Sequence, residues 1–102
     1  MQIEKEFNLI KGTFKPTQAI VILLELYNYK IGFHEREKFS NLERYGKDVL
    51  NSESRIVELK FERKELEQLL KTAQKGSLQL SIECIIKIKE KNDVGKIDQL
   101  KN

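Results

Sequence analysis

The sequence predicts an α+β domain of βααβ order, with two long strands at the chain ends and two helices between them. Three observations carry this. Leu78, Leu80, Ile82, Cys84, Ile86 and Ile88 alternate without a break. Residues 3–14 hold a second period-two pattern, and the intervening chain carries apolar stripes at helical spacing. Alternation marks a half-buried strand, and i, i+3, i+4 recurrence marks an amphipathic helix.

In the first strand, Ile3, Phe7 and Leu9 fall on one face and Ile10, Gly12 and Phe14 on the other. The change of phase at Leu9-Ile10 predicts a β-bulge, or a strand covered on both sides. Pro16 suits the first turn of a helix, where its missing N–H has no partner to lose. Ile20, Leu23/Leu24, Tyr27 and Ile31 form one stripe of that helix, and Ala19, Ile22, Leu26 and Phe33 a second. A helix apolar around most of its circumference is central, and in so small a domain its second face needs another subunit. Gly32 is read as its C-terminal stop. Residues 33–51 are read as an ordered connection with a helical turn over residues 40–45.

Residues 53–75 are expected to form a long helix, capped by Ser52 or Ser54. Its stripe runs through Ile56, Leu59, Arg63, Leu66, Leu70 and Ala73, and Lys75-Gly76 ends it. Within it, residues 55–61 would also suit a short strand. Residues 78–89 are the second strand, longer than the usual five or six residues. The expected domain spans residues 1–91, and residues 92–102 are a polar tail expected to fray. A two-stranded sheet is marginal alone, and free strand edges invite pairing. A homodimer is therefore expected, with its sheet extended across the two copies or the first helix in the interface. Ile20, Leu23, Leu24, Leu26 and Tyr27 are the candidate interface residues.

The 102 residues are 39% hydrophobic and 34% charged, with net charge +3. Mean hydropathy is -0.53 and the pI about 9.0. This fits one domain, and excludes collagen, a disulfide scaffold and a multi-domain enzyme. No apolar run approaches the ~20 residues of a membrane span. A lone cysteine, Cys84, suits a reducing compartment, and the N-terminus lacks the basic and apolar regions of a signal peptide. A cytoplasmic location is expected.

Three segments together, Phe7-Asn8-Leu9-Ile10-Lys11-Gly12-Thr13-Phe14-Lys15-Pro16, Lys30-Ile31-Gly32-Phe33-His34 and Glu43-Arg44-Tyr45-Gly46-Lys47-Asp48, carry a resemblance over most of the chain. It resembles an uncharacterised family of small bacterial proteins. That resemblance implies a bacterial cytoplasmic protein and carries over no activity and no functional residue.

Chemistry-bearing residues are few. His34 is the only histidine, so the paired-histidine zinc motif is absent; a general base is one reading and a helix-end histidine bonded to a carboxylate the plainer one. Cys84 falls in phase with Ile82 and Ile86, which predicts an inert buried thiol. Asp48, followed by Glu58 and Lys60, resembles the core pattern of PD-(D/E)xK nucleases. In that chemistry two carboxylates hold Mg²⁺ and the lysine activates water. The pattern needs residues 55–61 extended, so that Glu58 and Lys60 share a face. Gly46-Lys47-Asp48 replaces the expected Pro-Asp, and Glu-x-Lys arises by chance in so charged a chain. Arg36, Lys38, Arg44, Lys47, Lys87 and Lys89 could contact phosphates of a nucleic acid. Interleaved Glu35, Glu37, Glu43, Glu83 and Glu90 would repel them, so a solvated face is the favoured reading. No metal and no cofactor is expected. The favoured function is a non-enzymatic assembly or protein-interaction module.

Overall fold

The structure, a computed structural model, describes residues 2–91; the tail expected over residues 92–102 lies outside them. Its order is β1 (Glu4–Phe14), α1 (Pro16–Tyr45), α2 (Ser52–Lys75) and β2 (Leu80–Lys89). The fold is α+β, with one two-stranded antiparallel sheet. Among the described residues no helix is long and apolar enough to cross a membrane.

In the sheet, Asn8 pairs with Ile85 but Ile10 with Cys84, so Leu9 is the extra residue of a bulge. The bulge resolves the change of phase in the sequence. It returns Phe7, opposite Ile86, to the face that holds Ile10 and Phe14, opposite Cys84 and Leu80. The two-stranded sheet therefore has one apolar face. On the other, Glu4 stands opposite Lys89, Glu6 opposite Lys87 and Lys11 opposite Glu83. The Glu90 N–H donates to the Ile3 carbonyl at 2.8 Å and closes the far end.

α1 begins at Pro16, and the Gln18 side chain accepts from the Lys15 N–H at 3.0 Å. It does not stop at Gly32. The helix runs through Gly32 to Tyr45, and the expected connection from residue 33 begins only after it. One interior glycine costs a helix only about 1 kcal/mol. The following turns bury Ile31 and His34 against α2 and carry Glu35, Arg36, Glu37 and Lys38, which favour helix. The stop is Gly46, left-handed at φ 71°, whose N–H donates to the Leu42 carbonyl at 3.0 Å.

α2 is helical throughout residues 55–61. Its N-terminus is not capped by Ser52 or Ser54. Asn51 is left-handed at φ 54°, and Asp48 Oδ2 reaches forward to accept from the Glu53 N–H at 2.8 Å. At the other end Gly76 keeps a negative φ, and Ser77 takes the left-handed position at φ 54°. The Leu78 N–H then donates to the Ala73 carbonyl at 3.1 Å, as a Schellman ending requires.

The helices form an antiparallel hairpin around a small core. Ala19, Ile31, Ile56, Leu59, Leu70 and Ala73 are the buried apolar residues, and Tyr27 packs on the cluster of Ile31, Ile56 and Leu59. Fully burying one Leu or Ile is worth about 1.5–3 kcal/mol, so four such residues and two alanines make a thin reserve. The extents are 49 × 38 × 14 Å and the radius of gyration is 17.1 Å. A compact chain of this length has a radius of about 13 Å.

Candidate interaction surface

The surface follows from how little the helices and sheet cover. The accessible area is 8179 Å², where a compact monomer of this mass exposes about 6,000 Å². Large apolar side chains on both α1 and the sheet are among the exposed residues.

On the sheet, burial alternates as expected over the base of β2, where Leu80, Ile82 and Cys84 are half-buried. Towards the far end the same face is open, with Phe7, Ile86 and Ile88 all exposed. The Cys84 thiol is half-buried rather than enclosed.

On α1, at about 100° per residue, Ile22, Leu26, Tyr29 and Phe33 fall on one line. They lie well round from Ile31 and His34, the buried residues that meet α2. All four are exposed, from 36% for Ile22 to 72% for Tyr29. Of the expected interface residues, Leu26 lies on this line. Ile20, Leu23 and Leu24 are half-buried, and Tyr27 belongs to the contact between the helices. Ile22, Leu26 and Phe33 already stand on the second stripe read from the sequence; Tyr29, which completes the four-three-four spacing, is the residue that reading lacks. Beside the line, a groove of about 240 Å³ runs between the helices, lined by Leu26, Tyr27, Lys30, Arg55, Leu59 and Glu62.

Polar contacts fix the register of the helices. Tyr27 donates to Glu62 Oε1 at 2.9 Å, Arg63 Nη1 to Asn28 Oδ1 at 2.6 Å, and Lys38 Nζ to Glu53 Oε2 at 2.8 Å. Burial, and then the bonded Glu62 carboxylate, hold the Tyr27 phenol above its ordinary pKa. The hydrogen bond to Glu53 does the same for the Lys38 ammonium. Deeper in, Glu37 Oε1 accepts from Ser52 Oγ at 2.8 Å and lies 3.3 Å from His34 Nδ1. His34 is 2% exposed and its Nε2 is buried without a partner. The ring has no open path to a substrate, so this geometry suits a packing role.

The structure does not bring Asp48, Glu58 and Lys60 together. Asp48 caps α2, Glu58 accepts from Arg55 at 3.0 Å, and Lys60 lies 3.9 Å from Glu35. Residues two apart on a helix point to different sides, so Glu58 and Lys60 cannot share a face as they would on a strand. No group of three or more His, Cys, Asp or Glu side chains among the described residues is placed to hold a metal ion. Of the basic candidates, Lys38 is paired with Glu53, while Lys87 and Lys89 stand opposite Glu6 and Glu4. Arg36, Arg44 and Lys47 are exposed on the distal half of α1 and just beyond it.

No protein-family model, no curated protein and no solved structure matches the chain.

Proposed function

We propose that the chain is a non-enzymatic assembly module that works as a homodimer. The observation that supports this reading is the thin slab itself, 14 Å through, with an apolar helix line and an apolar sheet end both uncovered. Contiguous exposed apolar surface of this kind marks an interaction site in a natural protein. Burying several Leu, Ile and Phe side chains at one contact outweighs any exposed ion pair beside it.

Sedimentation equilibrium across a concentration series tests the reading. The native chain is expected at twice its 12.0 kDa mass. Leu26→Asp is expected to give a helical monomer, because Leu26 is exposed within the chain. Leu23→Asp, at a half-buried position, is expected to lose folding as well as assembly. A soluble, folded Leu26→Asp variant of unchanged oligomeric mass would count against the reading.

A further inference from the structure

We propose that two copies join through the Ile22–Leu26–Tyr29–Phe33 line of α1, side by side and parallel, with Glu25 of each copy beside the partner's Lys30. The proposal rests on the homodimer reading above and adds its geometry.

Spacing is the first argument. Four, three and four residues separate the members of the line, which is the recurrence that lets two helices mesh knob into hole. A second copy of α1 supplies the matching spacing without further assumption. A two-fold interface must be complementary to itself, and this line is. The groove beside Leu26 and Lys30 gives room for the partner's knobs along one flank.

Charge fixes the direction. At about 100° per residue, Glu25 and Lys30 lie about 70° to either side of the line. They are five residues apart, so a parallel pair of helices brings each Glu25 to the other copy's Lys30 on both flanks. An antiparallel pair instead sets Glu25 beside Glu25 and Lys30 beside Lys30. Among the described residues, no ion pair within the chain engages Glu25. Lys30 Nζ lies 4.9 Å from the Phe33 ring centroid, on the flank of the same line.

Two measurements on the whole chain test this. In a Cys84→Ser background, Leu26→Cys is oxidised and its mass read without reductant. Parallel helices bring the two Leu26 positions together, and a covalent dimer is expected. Separately, Glu25→Lys and Lys30→Glu are each expected to weaken the dimer about tenfold, since each turns two attractions into two repulsions. The double variant Glu25→Lys/Lys30→Glu is expected to restore it. Far-UV circular dichroism confirms that each variant is folded. If the native chain is a dimer, but Leu26→Cys does not cross-link and the reversals leave its affinity unchanged, this geometry is overturned and self-assembly stands. A native chain monomeric at every concentration overturns both.

Discussion

The Ser52 hydroxyl donates to Glu37 Oε1 at 2.8 Å and so ties the first residue of α2 to the middle of α1. His34 Nδ1 lies 3.3 Å from the same oxygen, and both His34 and Ser52 are 2% exposed. In a helix hairpin whose apolar core is this small, the node does what bulk packing does elsewhere. It penalises any slide of one helix along the other, because a slide leaves the buried Ser52 hydroxyl without its partner.

Ser52→Ala is expected to cost about 1–3 kcal/mol, the worth of a hydrogen bond to a charged, half-buried acceptor. The loss is read as a lower midpoint in urea with an unchanged slope. In a Glu37→Gln background the same substitution is expected to cost less, because the acceptor that Ser52 then loses is neutral. A double-mutant cycle showing no coupling between the two positions would mean that the bond contributes nothing to the register.

Asp48 gives the fold an acid-sensitive point. Partial burial raises its pKa, but the backbone N–H groups of Glu53 and Ser52 and the Lys38 charge outweigh this. Together they hold the carboxyl below its ordinary value of 3.8. A carboxylate with a depressed folded-state pKa adds stability above its unfolded value, and that stability is lost as pH falls through the folded value. The window is therefore below about pH 4. Asp48→Ala is expected to cost about 0.5–2 kcal/mol near neutral pH, as loss of a cap does. The gap in melting temperature between variant and native chain should close as pH falls below 3.8. A gap constant down to pH 2 would show that the Asp48 charge plays no part.

Some of this was legible in the sequence and some was not, for physical reasons. The strands were legible because alternation is a strong local signal. The bulge at Leu9 was visible as a change of phase, since Phe7 and Ile10 can share a face only if one residue between them is unpaired. The helical state of residues 55–61 was the better of two readings because the stripe through Ile56 and Leu59 continues to Ala73. The cap was not legible. Serines before an apolar run look like caps, yet Ser52 is drawn into the node with Glu37, and Asp48 takes the role across a left-handed Asn51. The node itself joins residues 15 apart whose meeting depends on the turn between the helices. The end of α1 was misread because a glycine followed by a weaker apolar pattern looks like a stop. The pattern weakens there because the buried positions of that half are His34 and its polar neighbours.

Gly32 and Gly46 make that last distinction measurable. Both are glycines of α1 or its end, but only Gly46 uses the freedom a glycine offers, at φ 71°. A methyl group on Gly46 would meet nothing within 4 Å, so Gly46→Ala is expected to cost about 1–2 kcal/mol from backbone strain alone. At Gly32 the backbone is helical, and the nearest atom to an added Cβ is the Arg36 guanidinium at 3.3 Å, the movable end of a long side chain. Gly32→Ala is therefore expected to stabilise the chain by about 0.5–1 kcal/mol. Thermal melts of the two variants should move in opposite directions. If instead Gly32→Ala lowers the melting temperature and Gly46→Ala does not, the helix ends where the sequence pattern weakens. The node built on His34 and Glu37, one turn further on, would then lose its footing.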